Sequence, residues 1–389
     1  MNVPKLRFKE FNDEWSYQSL SKYVNRITTK NKNNESNLVL TISAQYGLVD
    51  QTNFFNRSVS SSNLTGYYLL NNGDFAYNKS YSNGYPWGAV KRLNKYNQGV
   101  VSSLYICFKP NNLINSDFLE QYFETNKWYQ QISEVSVEGA RNHGLLNIAV
   151  NDFFNTKHYM PSIKEQEKIS NFLSLLDKKI ELQAKKIEDL KLFKKGLNKF
   201  VFSNCTDEYK IENLIIEYSN KTTENNQYEV LSSTANGITF QNEYFNKQAA
   251  SNNNTGYKII PKGFITYRSM SDTGEFHFNI QDITDIGIVS PAYPVFNIKK
   301  NLVNKTYFVY YINENDGFKN EILSTKEGGT RYALSITKFK TLNILLPKIE
   351  EQIKYSKYIN IIINKIQLEE KKLEKLIQLK KGLMQNMFV

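Results

Sequence analysis

The sequence is poor in the residues that build metal sites and disulfide frameworks. It has two cysteines, Cys107 and Cys205, and three histidines, His143, His158 and His277. Two isolated cysteines make neither a disulfide framework nor a metal knuckle, and none of the histidines has a metal-spaced partner. No G-x-x-x-x-G-K-[ST] loop is present, so no standard nucleotide triphosphate site is expected. No G-x-G-x-x-G fingerprint follows a strand, and the Asn/Asp-Pro-Pro-aromatic motif of amino-methyltransferases is absent. No apolar run approaches the roughly 20 residues of a membrane helix. The opening MNVPKLRFKEFNDEW has no apolar core of a secretory signal. With so few cysteines, a reducing cytoplasm is the expected location. These absences favour a binding protein over an enzyme.

What is present is a folded-protein composition, 40% hydrophobic and 14% aromatic, over 389 residues, enough for two or three domains. The net charge of +11 makes a polyanion a reasonable partner. Eight of those charges lie in 160–203 and 346–389, and the longer stretches between are nearly balanced.

Those two basic segments are copies. KKIEDLKLFKKGL at 185–197 recurs as KKLEKLIQLKKGL at 371–383, and 160–203 aligns on 346–389 without a gap, with 18 identities in 44 positions. Ile169, Leu173, Leu176, Ile180, Gln183, Ile187, Leu190, Lys194 and Leu197 step alternately by four and three. Tyr355, Ile359, Ile362, Ile366, Glu369, Leu373, Leu376, Lys380 and Leu383 repeat the pattern. That 3.5-residue spacing is a coiled-coil seam, whose polar members fix register. Each helix should start after a proline, Pro161 or Pro347, and slow or stop near Gly196 or Gly382. A helix from Ile163 to Leu197 would be about 50 Å long. Antiparallel pairing within the chain is expected, because a parallel pair would need each intervening segment to return along the whole helix; pairing of each helix with another chain is the alternative.

The intervening segments repeat more faintly. At an offset of 190, Ser43, Gly47, Thr65-Gly66-Tyr67, Gly73, Tyr77, Gly84, Phe118, Gly139 and Arg141 match Ser233, Gly237, Thr255-Gly256-Tyr257, Gly263, Tyr267, Gly274, Phe308, Gly329 and Arg331; Gly99 and Gly287 pair at 188. The expected fold is α/β of the α+β kind with a pseudo-two-fold internal repeat: a mixed α/β domain at 1–159, a long helix at 160–203, a second domain at 204–345 and a long helix at 346–389. Each domain should hold short strands with Gly- and Asn-rich turns and one amphipathic helix, near SDFLEQYFETNKWYQQI and NKTYFVYYINEN.

Candidate contact residues fall in three loop pairs. The first offers Gln45 and Tyr46, matched by Thr234 and Asn236. The second offers Asn78, Lys79, Ser80, Tyr81, Ser82, Tyr85 and Trp87, matched by Arg268, Ser269, Met270 and Ser271. The third offers Arg141, Asn142 and His143, matched by Arg331 and Tyr332. Amides, small hydroxyls and cations read base edges or hold phosphates, and glycine lets a backbone approach a ligand. Ordinary polar turns, with Tyr77 and Tyr267 in the core, are the alternative. The frames match while the contents differ.

The opening PKLRFKEFNDEW, the block GDFAYNKSYSNGYPWGAVKRL and the paired P-x-I-x-E-Q…KK[IL]E-x-L…KKGL segments resemble the specificity subunit of type I restriction–modification systems over essentially the whole chain. The family often has Pro where Lys9 stands, and the second domain has no clear copy of the PKLRF opening. The resemblance implies two target recognition domains, each reading half of a split double-stranded DNA site, and an antiparallel coiled-coil spacer. It implies two modification subunits that bind S-adenosylmethionine and methylate adenine, and restriction subunits with ATP- and Mg-dependent translocase and nuclease activity. The chain itself would hold no cofactor or metal and would catalyse nothing. Two other readings stay open: an adaptor with two ligand-binding domains on a coiled-coil stalk, and a self-contained DNA-modifying enzyme with unfamiliar motifs.

Overall fold

A computed structural model describes residues 2–55, 63–82, 84–136, 146–244, 253–324 and 332–389. Arg141, Asn142, His143 and Arg331 lie outside the described residues. The fold is mixed α/β, with two long helices, Ile163–Ser203 and Ile349–Met387. The chain divides into two compact units, Met1–Ala184 with Lys371–Val389, and Lys185–Glu370. Each unit therefore owns one half of each long helix.

The seam residues are those the spacing names. All nine in each helix are buried or half-buried, and most of their neighbours are exposed. Within the first unit, Ile169 and Leu173 share a core with Met384, Met387 and Phe388, and Lys380 Nζ sits 2.5 Å from Asp177. Within the second, Tyr355 and Ile359 share a core with Val201, and Lys186 reaches the buried Glu369 at 3.0 Å. In both, rising numbers on one helix meet falling numbers on the other, so the pair is antiparallel.

Neither helix stops at its glycine. Both run on, to Ser203 and Met387. A Cβ at Gly196 or Gly382 would meet nothing within 4 Å, so neither glycine is needed for packing. A mid-helix glycine costs about 1 kcal/mol. Burying Val201, or Met387 with Phe388, returns about 2 kcal/mol per side chain and carries the helix past it.

The remainder of each unit follows one plan. A four-stranded antiparallel sheet runs in the order 24–26, 106–110, 75–78, 89–92 in the first unit. Its counterpart runs 215–217, 295–298, 265–266, 279–280. Two-stranded pairs repeat as well: 40–43 with 47–50 and 231–234 with 237–240, then 68–71 with 98–101 and 258–261 with 286–289. Gly99 and Gly287 are equivalent. A Cβ at Gly99 would lie 2.5 Å from Leu40, and one at Gly287 would lie 2.4 Å from Leu231. Each glycine makes room for a leucine from the neighbouring strand pair. Two helices follow each sheet where one was expected: Ser116–Phe123 and Tyr129–Val135, then Lys305–Glu314 and Asp316–Ser324. In the first unit the break falls where the Thr125 hydroxyl donates back to the Tyr122 carbonyl. In the second, the Asn315 side chain accepts from Phe318 N–H and starts a new helix.

The glutamine of P-x-I-x-E-Q joins the long helix to this plan. Gln166 accepts from Asn115 N–H at 2.7 Å and donates to the Pro161 carbonyl at 2.9 Å. Gln352 accepts from Asn304 N–H at 2.9 Å and donates to the Pro347 carbonyl at 2.8 Å. Asn115 and Asn304 are in turn the N-caps of the helices at 116 and 305. Both glutamines are buried. Replacing Gln352 by Leu strands two buried polar groups at about 1–3 kcal/mol each. The expected outcome is faster hydrogen exchange at the Asn304 amide, with the first unit's amides unchanged.

His158 is a core residue. Tyr122 Oη lies 2.8 Å from its Nδ1 and Thr156 Oγ1 lies 2.8 Å from its Nε2. Burial pushes its pKa down from 6.5 to about 3. The unfolded chain therefore binds a proton that the folded chain refuses between those values, and stability falls as pH drops from about 6.5 toward 3. His158→Gln should flatten that part of the stability–pH curve, measured by denaturant unfolding at several pH values.

Candidate nucleic-acid interface

In the first unit the first and second loops line one cleft of about 330 Å³. Gln45 and Tyr46 of the first loop and Asn78, Ser80, Tyr81 and Ser82 of the second line it, together with Phe54 and Ala89. Ser43 Oγ accepts from Tyr46 N–H and closes the first turn. Tyr46 is 62% exposed and Tyr81 60%. Two exposed aromatic faces beside amides and hydroxyls suit contact with bases or sugars.

Not every candidate points outward. Lys79 Nζ donates to the Ile148 carbonyl at 3.2 Å, and the Lys79 carbonyl accepts from Leu146 N–H at 2.9 Å. The residue holds the second loop to the chain that follows the third. Trp87 is half-buried against the core, and its carbonyl accepts from Tyr77 Oη at 2.7 Å. Tyr77 and Tyr267 are fully buried, and burial raises the pKa of both phenols. Tyr85 is half-buried, with Lys91 Nζ 5.2 Å from its ring centroid. With Gln45 and Tyr46 it lines a larger groove of about 970 Å³. The cations of that groove are largely paired: Lys91 with Glu124 at 2.5 Å, and Arg92 with Asp117 at 2.6 Å and Glu120 at 2.5 Å.

The second unit ties its loops differently. Thr234 Oγ1 donates to the Gly237 carbonyl and accepts from Asn236 N–H. Asn279 Nδ2 donates to Ser233 Oγ at 2.7 Å and to the Thr234 carbonyl at 2.8 Å, fixing the first loop to the sheet. Met270–Ser271 pairs with Tyr332–Ala333, which brings the second loop onto the third. The Ser269 carbonyl accepts from Leu334 N–H at 2.8 Å, as Lys79 does from Leu146. Arg268, Met270 and Asn236 are exposed, and Ser269, Ser271, Thr234 and Tyr332 are half-buried.

Asn279 and Gly88 were not among the candidates. Asn279 carries no local signal, because its role is set by a strand 46 residues away. Gly88 could have been noticed, since it ends the aromatic loop. Its φ is +76°, and a Cβ there would lie 2.2 Å from the Asn78 carbonyl oxygen. Among the described residues no group of three or more His, Cys, Asp and Glu could hold a metal, and no helix is long and apolar enough to cross a membrane.

Two mixed α/β units built on a shared antiparallel helix pair define the class of protein. Residues 208–378 match the family model of the Type I restriction modification DNA specificity domain. The fold of the whole chain is similar to that of two solved chains from type I restriction-modification systems. The Type-I restriction-modification system S subunit from M. genitalium superposes with a TM-score of 0.56 at 16% identity, over 100% of this chain and 99% of that one. A chain from a structure of type I R-M complex assembly and conformational transition gives 0.54 at 13% identity, over 97% and 98%. The resemblance read from the sequence is borne out.

Gly88→Ala sets a side chain against the second loop's backbone and forces an unfavourable φ. The expected loss is about 2 kcal/mol or more in denaturant unfolding, with a change in Trp87 fluorescence.

Proposed function

We propose that this chain is the non-catalytic, sequence-reading subunit of a type I restriction–modification complex. Each unit reads one half of a bipartite double-stranded DNA site through its three loops. Two modification subunits supply S-adenosylmethionine and methylate an adenine at each half-site. Restriction subunits supply ATP- and Mg-dependent translocation and cleavage, and the complex works in the cytoplasm. The observation that carries this reading is the duplication itself. Two units share sheet order, glycine positions and helix clamps, yet present different side chains in matching loops. One frame with two contents is what a reader of two unlike half-sites requires.

Gln45, Tyr46, Tyr81, Asn236, Arg268 and Met270 are exposed and are the first choice for base or phosphate contact. Arg141, Asn142, His143 and Arg331 belong to the same proposal on sequence alone. Lys79 and Trp87 serve the loop's shape.

The helix pair would set the number of uncontacted base pairs between half-sites. Seven residues added after Ala184 and seven after Glu370, equivalent points in the repeat, keep the seam in phase. They lengthen each helix by about 10 Å, or about three base pairs. Single-molecule sequencing of modified adenines should then show a gap longer by about three base pairs, with both half-sites unchanged. An unchanged gap from an intact, active complex would refute the ruler.

A further inference from the structure

The first unit contains a segment that the second lacks. Strand Ser16–Ser19 pairs with Lys157–Met160, and strand Asp207–Lys210 pairs equivalently with Asn343–Leu346. Upstream of Ser16 the first unit has a separate stretch of chain. Upstream of Asp207 the second unit has only the end of the helix Ile163–Ser203 and three residues. Residues 2–15 therefore have no counterpart in the second unit.

That extra stretch docks on the first turns of the helix Ile163–Ser203 through three side chains, Glu165, Lys168 and Phe172. Arg7 grips Glu165 with two bonds, Nε to Oε1 at 2.7 Å and Nη2 to Oε2 at 2.8 Å. Glu10 pairs with Lys168 at 3.1 Å. Phe8 lies edge-on to Phe172, ring centroids 5.8 Å apart, with Lys168 Nζ 5.4 Å from the Phe8 ring. An acid, a cation and an aromatic at i, i+3 and i+7 thus recognise an Arg-Phe-x-Glu segment. Under it the Glu165 side chain is only 2% exposed.

The helix repeat carries the same receptor at 186 residues' distance: Glu351, Lys354 and Tyr358. Glu351 and Lys354 are exposed, and Tyr358 is 48% exposed. Among the described residues no side chain takes the place of Arg7, Phe8 or Glu10 there. The adjoining Ile361 is 62% exposed, where its equivalent Leu175 is 69% exposed.

We propose that Glu351, Lys354 and Tyr358 form a docking site for a protein partner that presents a short Arg-aromatic-x-acid segment. The occupant's chemistry is given by the segment that fills the duplicate. Its arginine would pair with Glu351, its acid with Lys354, and its aromatic ring would lie against Tyr358. Charge-assisted, bidentate geometry supplies the selectivity, and the ring contact supplies buried area. A second copy of this chain is the less favoured occupant, since its own segment would have to leave the buried Glu165.

The test uses the full chain and a fluorescently labelled synthetic peptide of residues 3–12, followed by anisotropy. Saturable binding with one peptide per chain is expected. Glu351→Arg, an exposed substitution in the helix's first turn that lowers thermal stability only slightly, should weaken it by about tenfold or more. A peptide carrying Arg7→Glu should fail on the unaltered chain and recover on Glu351→Arg. No binding at millimolar peptide overturns the proposal. So does binding that Glu351→Arg leaves undiminished, which would place the peptide on Glu165 by exchange. Self-association of the chain in sedimentation, abolished by Glu351→Arg, would assign the site to a second copy and overturn the partner.

Discussion

Each unit closes its core with the beginning of one long helix and the end of the other. In the first, Ile169 and Leu173 meet Met384, Met387 and Phe388, and the Phe388 ring lies 5.3 Å from that of Phe118. In the second, Tyr355 and Ile359 meet Val201, and the Phe202 ring lies 5.1 Å from that of Tyr311. Phe202 and Phe388 are equivalent positions of the repeat. A deletion in either helix would pull a seam residue, a core residue and a glutamine clamp out of phase together. That constraint explains why the helical repeats align without a gap while the segments between them drift from an offset of 190 to 188 and back. Strands joined by loops absorb an insertion locally, and a coiled coil does not.

Charges on the seam act on register more than on stability. Glu369 is 4% exposed and takes Lys186, and Lys380 takes Asp177. Lys194, the equivalent of Lys380, turns instead to Glu314 on the helix Lys305–Glu314, at 2.9 Å. A partly buried ion pair gains little net energy over an apolar pair, because desolvation offsets most of the attraction. Sliding the pair by one heptad so that Phe193 takes the place of Lys186 would leave Glu369 buried without that cation. The penalty falls on the wrong alignments, which is how a few polar seam positions choose one register among several.

The helices were legible in the sequence because their signal is local and periodic. Nine positions in each copy follow 3.5-residue spacing, and all are withdrawn from solvent. Where they end was not legible. Glycine at 196 and 382 is a fair stop signal, yet tertiary burial of Val201 and Met387 overrides it. The glycine pairs were legible as repeats, but their purpose was not, since Leu40 and Leu231 come from other strands. In the loops, residue type pointed to contact chemistry without saying which side chains turn inward. Lys79 reads as a cation for phosphate, and its ammonium instead meets a main-chain carbonyl. Trp87 reads as a contact residue of the second loop and packs against the core. Such outcomes depend on the fold's long-range pairings, which no window of sequence contains.

The two units differ in how side chains hold their loops, and agree in how the backbone does. Leu146 N–H to the Lys79 carbonyl and Leu334 N–H to the Ser269 carbonyl are one bond made twice. Main-chain bonds place no demand on side-chain identity. Lys79 can therefore stand where Ser269 stands, and Asn279 can take up a strap that the first unit builds otherwise, without moving the strands beneath. A frame fixed by backbone bonds, buried glycines and core aromatics leaves the exposed positions free to change. That separation between what holds the loop and what the loop presents is the physical condition for one scaffold to carry two specificities.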